Sequence, residues 1–429
     1  MDDERRVVKA DLRLEGDRIA AIGKVRAPRG AKVVDAKGCA VIPGLVQAHV
    51  HVCQTLFRGM ADDRPLLPWL KERIWPLEAA HDRRSLGASA RLGLAEMIGA
   101  GTTTILDMGT VKHQDSVFEA MVESGIRGFS GKAMMDHGDD VPEGLRESTD
   151  ESLAESARLC AKWKGAGDGR IGYAYAPRFI LSCTEDLWCA VAEEARANGA
   201  LIHSHVAEHA EERAAVKALL GKDDVAALAS YGIEGPDVIL AHGVQLRKAE
   251  MRRMAKAGTR IVHCPSANLK LASGIADVRA MREAGMVVAL GADGAPCNNW
   301  MDPWTELREA ALLAKVATGE ADAVPAAAAL ELATIDGARA LGLDEEIGSI
   351  EVGKKADLAV VDLDGLHKEP GGDAYSRLVY ATRATDVRHV FVDGRQLVDG
   401  GELTTLDRTK VRTTARREAA RCAARAGLA

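Results

Sequence analysis

Residues 201–243, LIHSHVAEHAEERAAVKALLGKDDVAALASYGIEGPDVILAHG, hold one full period of the pattern from which the fold is read. LIHSHVA (201–207) is a short apolar run, a charged helix-forming stretch follows, and DVILAHG (237–243) is a second apolar run. Short β-branched runs alternating with amphipathic helices signal a parallel sheet built from βα units. Working outward, IGYAYAP (171–177) reads as the preceding strand, and Ser182 with Glu185 has capping-box spacing at the start of a helix that ends near Gly199. Beyond His242 come a helix ending near Gly258, the strand RIVHCP (260–265), a further helix, and VVALGAD (287–293). GTTTILDMG (101–109), IRGFSGKAMMD (126–136) and a strand near Val46–His51 complete a set of eight. Eight βα units predict a closed (β/α)8 TIM barrel, with its site at the C-terminal ends of the strands.

The flanks differ in character. LRLEGDRIAAIG (12–23) and VRHVFVDGRQLV (387–398) read as hairpins, the second around an Asp393–Gly394 turn, and GSIEVGKKADLAVVDL (348–363) is strand-rich. Residues 1–42 and 346–405 are therefore expected to join into one small composite β-sandwich domain beside a barrel at 43–345. The Arg- and Ala-rich tail within 406–429 is expected to be a surface helix with solvated arginines.

Bulk properties narrow the partners. The chain has 429 residues, 47% of them hydrophobic, which is ample for a large core. Its net charge is −7 with both signs interspersed, so nucleic acid and acidic membranes are not expected partners. No leader and no membrane-spanning apolar run is read, which predicts a cytoplasmic protein. A homo-oligomer is expected. The eight cysteines lack Cys-x-x-Cys spacing and are read as reduced; Cys264 and Cys297 fall near the expected site as small core residues.

Chemistry concentrates at the strand ends. In PGLVQAHVHVCQTLFRGMADD (43–63), His49 and His51 are two apart, so one strand would present both imidazoles on the same face, as two ligands of one metal require. His205, with Glu208 three residues on, His242 in LAHG and Asp293 in LGADGAPCNN each close another strand. Packing alone does not account for that arrangement in that order.

The four features together resemble the amidohydrolase superfamily over nearly the whole chain, including the split β-domain and GSIEVGKKADL (348–358). IGYAYAPR (171–178) has no lysine, where two-metal members carry a carboxylated one, so the resemblance is to the mononuclear deaminases. It implies one divalent ion on His49, His51, His205 and Asp293, with Zn²⁺ the first expectation and Fe²⁺ its alternative. It further implies Glu208 as the group that protonates the ring, Asp293 as the acceptor of the attacking water's proton and His242 as the residue that orients the water. His203 and His209, beside this motif, are read as surface or supporting residues rather than ligands.

Substrate signals divide. TLFRGMADD (55–63), WLKERIWPLE (69–78) and NLKLASGIADV (268–278) resemble deaminases of 5'-modified adenosines, namely S-adenosylhomocysteine, 5'-methylthioadenosine and 5'-deoxyadenosine. That resemblance places Glu78 on the ribose hydroxyls and Trp69 in the pocket wall. APRFILSC (176–183) resembles guanine deaminase instead, and with it Arg178, Phe179 and Gln54 would grip the purine. Trp300 is expected to narrow the pocket. The expected activity is hydrolytic deamination of a purine, a 5'-modified adenosine first. A guanine-like base or pterin, an s-triazine and a catalytically inactive binding barrel are the alternatives. Family members usually begin with a further β-strand before the segment matching MDDERRVV (1–8), so a late start and an unpaired edge are expected.

Overall fold

The computed structural model describes residues 4–138 and 140–428. Strands β1 (Asp11–Glu15) and β2 (Arg18–Gly23) form the first expected hairpin. Strand β3 (Cys39–Pro43) then hands over to β4 (Leu45–Val50) through Gly44. A Cβ on Gly44 would meet Thr103 Oγ1 at 2.1 Å, so only glycine allows the chain to pass so close to the next barrel strand.

The barrel follows as β4, β5 (Thr102–Asp107), β6 (Arg127–Ser130) with its continuation β7 (Ala133–Met134), β8 (Ile171–Pro177), β9 (Leu201–Val206), β10 (Val238–His242), β11 (Arg260–His263) and β12 (Val288–Leu290). Every pairing among them is parallel. The stretch expected as one strand at 126–136 is in fact two, broken at Gly131 and Lys132. There the backbone runs so near β8 that a Cβ on Gly131 would lie 1.7 Å from the Ala174 carbonyl oxygen. Val46, Ala48, Leu106, Ala174, Ile239, Val262 and Ala289 are buried together in one apolar cluster, while Ile105, Ile202, Leu240, Ile261 and Leu290 belong to another. This is the alternation of a filled barrel, its interior occupied by side chains and its outer face packed on helices.

A helix also differs in its start. Thr184, not Ser182, caps Glu185–Ala197, its hydroxyl accepting from the Leu187 amide at 3.2 Å. The Ser182 hydroxyl is occupied in the preceding turn, donating to the Phe179 carbonyl at 3.0 Å.

After the barrel, β13 (Leu358–Asp362), β14 (Val387–Val392), β15 (Arg395–Asp399) and β16 (Glu402–Leu403) form an antiparallel sheet with β3 at its far edge. Asp393 and Gly394 have φ of 49° and 71°, the positive values that a two-residue hairpin turn demands. The β1–β2 hairpin joins the returning chain through Ile19 N–H to Lys354 O (2.9 Å) and Ala356 N–H to Asp17 O (2.8 Å). Ile19, Ala356 and Leu358 are buried beneath Leu12, Leu14, Val41 and Phe391, so the two ends of the chain share one small core.

The C-terminal helix Arg408–Arg425 is less superficial than expected. It buries Val411, Ala415, Glu418, Cys422 and Ala423, and Ala415, Cys422 and Ala423 share a cluster with Leu56, Phe57 and Leu77. Among the described residues no helix is long and apolar enough to cross a membrane.

A buried ion network joins β6 to the β-domain. Arg127 Nε and Nη2 contact the two Asp357 oxygens at 2.7 and 3.1 Å, and Nη2 also meets Asp393. Removing the cation would leave Asp357 without a cationic partner in a buried interface, Asp393 keeping Lys355 at 3.6 Å and Arg170 at 3.9 Å, so Arg127→Met should lower stability by roughly 3–5 kcal/mol. Urea unfolding of the variant beside the parent protein measures this, and a loss below about 1 kcal/mol would show that water reaches the junction.

Candidate active site

The side chains that the sequence singled out converge at the C-terminal mouth of the barrel. The rings of His49 and His51 lie 4.9 Å apart at 87°, and His205 from β9 lies 4.9 Å from His49. Asp293, just past β12, brings Oδ1 to 3.4 Å from His49 Nε2 and 3.3 Å from His51 Nε2. His51 Nε2 and His205 Nε2 are 3.3 Å apart. His242 and Asp293 have φ of 77° and 61°, left-handed conformations that carry strain in residues with side chains and that mark functional strand ends.

Hydrogen bonds to neighbouring strands fix which nitrogen of the His49 and His205 rings faces inward. His205 Nδ1 donates to the Arg178 carbonyl at 2.6 Å, leaving Nε2 as a lone pair at the centre. His203 is fully buried, and its Nδ1 donates to the Ile239 carbonyl at 2.9 Å. Its Nε2 can then only accept, and it lies 2.8 Å from His49 Nδ1, so the His49 proton sits on that side and His49 Nε2 turns its lone pair inward. His203 is thus a supporting residue and not a surface one.

These residues fit a divalent cation. His49 Nε2 is buried without a hydrogen-bond partner, and donor atoms of His49, His51 and His205 lie within 4.8 Å of one another. His49, His242 and Asp293 form a second such group, but His242 Nε2 is 3.9 Å from Asp293, through Oδ2, whereas Oδ1 lies at 3.4 and 3.3 Å from His49 and His51. We therefore keep His242 beside the cation site rather than in it. Burial holds His49, His51 and His205 well below the ordinary imidazole pKa, in the neutral form that binds metal. Nitrogen and carboxylate donors suit Zn²⁺ and Fe²⁺ alike.

Glu208 lies at the edge of this cluster, its Oε2 3.5 Å from His242 Nε2. Burial first, and then the charge of Asp293, push its carboxyl well above the usual range, so it holds a proton where most glutamates do not. Its backbone N–H donates to Glu212 Oε2 at 3.2 Å. Glu212 was missed in the sequence, although His209-x-x-Glu212 is a capping pattern. His209 is the N-cap, accepting from the Glu211 amide at 3.2 Å through Nδ1, and is not among the donors gathered at His49. Burial raises the Glu212 carboxyl to about 7.

Gln54, Trp69, Arg178 and Phe179 line the cavity that also exposes Glu208 and Asp293. Glu78 is buried behind this wall. Arg178 grips it with both terminal nitrogens, Nη1 to Oε2 at 2.6 Å and Nη2 to Oε1 at 3.1 Å, while Gln54 Nε2 donates to Oε1 at 2.8 Å. Residues that the sequence divided between two rival substrates are therefore one hydrogen-bonded cluster. Trp300 does not narrow the pocket: it is 57% exposed and not part of the cavity wall, the chain having turned outward at Asn299 with φ of 72°. Cys264 and Cys297 are fully buried, as expected.

Comparison with known proteins agrees with this geometry. Residues 40–397 match the model of the amidohydrolase family. A 5-methylthioadenosine/S-adenosylhomocysteine deaminase of Halobacterium salinarum is 44% identical over 95% of this chain and 92% of its own length. A 5'-deoxyadenosine deaminase of Methanosarcina acetivorans is 41% identical over 96% of this chain and 93% of its own. The crystal structure of an adenosine deaminase from Xanthomonas campestris with bound zinc superposes with a TM-score of 0.90 at 34% identity, covering 97% of this chain and 94% of that one.

Metal analysis after purification and dialysis checks the ligand set. His49→Ala and Asp293→Ala should lose most of the bound metal, and His209→Ala should lose none. His203→Ala should weaken affinity about 10- to 100-fold, because His49 loses the acceptor that orients it. Metal loss in His209→Ala together with full retention in His203→Ala would reverse the assignment.

Proposed function

Since this chain belongs to the amidohydrolase family, we propose that it is a metal-dependent purine deaminase, converting a 5'-modified adenosine to its inosine counterpart with release of ammonia. 5'-Deoxyadenosine, 5'-methylthioadenosine and S-adenosylhomocysteine are the substrates named for relatives of this chain. The observation that carries the reading is the gathering of His49, His51, His205, Glu208, His242 and Asp293 around one point in the cavity wall. A binding module has no use for a protonated glutamic acid and a carboxylate beside a cation site.

His49, His51, His205 and Asp293 would hold the ion, which we take to be zinc. A divalent ion held there supplies a Lewis acid that lowers the pKa of a water to about 7. The rest falls to the chain's own groups. Glu208, kept protonated by burial, donates to the ring nitrogen next to the carbon under attack and draws electron density from that carbon. Asp293 takes one proton of the attacking water and passes it to the departing amine, and Glu208 recovers its proton from the remaining O–H as the C–N bond breaks. His242, with Nε2 near both carboxylates, orients that water. Trp69 and Phe179 supply apolar walls for a flat ring.

A guanine-like base is the second reading, and the Gln54–Glu78–Arg178 cluster favours it. With both carboxylate oxygens engaged by Arg178, Glu78 offers a ribose diol less than a free carboxylate would.

Two measurements test the proposal. Glu208→Gln should keep its metal and lose about two to four orders of magnitude in kcat, since an amide cannot donate the proton. Unchanged turnover at full metal content would remove Glu208 from the reaction. Glu78→Gln should lower kcat/KM for 5'-deoxyadenosine by about 2–3 kcal/mol if the carboxylate meets the ribose. Because Glu78 also holds Arg178, the same variant should cost free adenine or guanine something, but less than it costs the nucleoside, and comparing nucleoside with base in one preparation cancels any loss of folded protein. Efficient guanine turnover by the parent enzyme, abolished in Arg178→His, would promote the base reading.

A further inference from the structure

NLKLASG (268–274) supplies none of the cation donors and none of the proposed purine contacts, yet its first residue points into the site. Asn268 sits in the helix Pro265–Lys270 that follows β11, is 1% exposed, and places its side-chain nitrogen Nδ2 3.0 Å from His242 Nδ1. We propose that Asn268 is a positioning residue that sets the tautomer of His242, keeping the imidazole proton on Nε2, where the reacting water would be oriented. The consequence for catalysis rests on the deaminase reading above; the tautomer itself does not.

The argument comes from both edges of the ring. A neutral imidazole carries one N–H and one lone pair. Near Nε2 the ionised group is Asp293 at 3.9 Å, and a lone pair there would face its oxygen, while the protonated Glu208 at 3.5 Å can accept through its carbonyl oxygen. On the Nδ1 edge stands an amide N–H. With the proton on Nε2, the amide N–H meets a lone pair and the Asp293 carboxylate faces an N–H at long range; with the proton on Nδ1, both are opposed. Rotating the amide by 180° would repair the Nδ1 edge and still leave a lone pair facing the Asp293 carboxylate. A doubly protonated ring could satisfy both edges then, but its charge would stand between His49 and His205, whose ring centres lie 5.4 and 5.3 Å away.

The helix that aims the amide is itself pinned. Lys270 Nζ bonds the Pro296 carbonyl at 3.0 Å and Asn299 Oδ1 at 2.6 Å, and also reaches Asp62. The Asn268 carbonyl accepts from the Ser273 amide at 2.8 Å, closing the turn behind it. The loops after β4, β11 and β12 are thus held together at one lysine, and Asn268 stands on the inner side of that junction.

The test uses the zinc-loaded, full-length protein labelled with ¹⁵N-histidine, with the His242 signals assigned by their loss in His242→Gln. The parent should show the Nε2–H tautomer. Asn268→Asp keeps the shape and replaces the donor with an acceptor, so the proton should move to Nδ1, and kcat should fall about 100-fold or more with KM within twofold and metal content unchanged. Asn268→Leu removes the donor without adding charge; it should leave the tautomers mixed and cost less in kcat than the aspartate. An Nδ1–H signal in the parent would overturn the proposal, as would an Asn268→Asp enzyme that keeps Nε2–H. Loss of metal in both variants with the tautomer unchanged would show Asn268 to be a packing residue only. If the parent shows Nε2–H and responds as described but releases no ammonia from any purine, the deaminase reading fails and the tautomer assignment stands.

Discussion

The barrel is closed by the backbone of the residues proposed to hold the cation. Asp293 N–H donates to the His49 carbonyl at 3.1 Å and His51 N–H donates to the Asp293 carbonyl at 3.3 Å, so the seam between β12 and β4 and the cation site are one structure. The seam allows no spare volume: a Cβ on Gly291 would lie 2.5 Å from the His49 carbonyl oxygen. Strand pairing therefore brings the donors together. What pairing alone does not supply is the direction of the lone pairs, and for His49 and His205 the adjacent strands do that. A carbonyl of β10 holds His203, which holds His49, and a carbonyl just past the end of β8 holds His205. These two rings are oriented through neighbouring strands, as an ordered parallel barrel permits and an open cluster of loops does not.

This dependence explains which parts were legible in the sequence. The eight-strand count, the split β-domain and the placement of His49, His51, His205, His242 and Asp293 at strand ends followed from periodicity and spacing, because both are local properties of the chain. The split of the third strand at Gly131 did not, since its cause is the Ala174 carbonyl, more than forty residues away. His203 could be read only as surface or support, because its partner Ile239 belongs to another strand and a carbonyl leaves no mark in a side-chain pattern. Trp300 was misplaced for a related reason: adjacency to Asn298 and Asn299 suggested the pocket, but one left-handed residue turned it to solvent.

Glu78 and Arg178 show the limit of reading residues one at a time. Taken singly, one resembles a nucleoside deaminase and the other a base deaminase. In the fold they neutralise one another at 2.6 Å in a fully buried pair, with Gln54 completing the carboxylate's coordination. A buried bidentate pair fixes geometry more than it adds stability. Its effect here is to hold the Arg178 guanidinium in one plane at the cavity wall. Nucleoside and base recognition then become alternatives for the same cluster: a ribose diol must share Glu78 with Arg178, whereas a base need only meet the donors that Arg178 keeps free.

That cluster rests on the C-terminal helix. Cys422 Sγ lies 3.4 Å from the Leu77 carbonyl and Arg425 Nε donates to the Ala80 carbonyl at 2.7 Å, bracketing the short helix that carries Glu78. His81, at the end of that helix, bonds the Cys53 carbonyl at 2.8 Å, one residue before Gln54. Burial keeps the His81 ring neutral, with its pKa near 4, so this tie does not depend on a proton that neutral solution could remove. The helix Arg408–Arg425 thus braces the side of the pocket that carries Glu78 and Arg178. The barrel seam fixes the side that carries His49, His51 and Asp293.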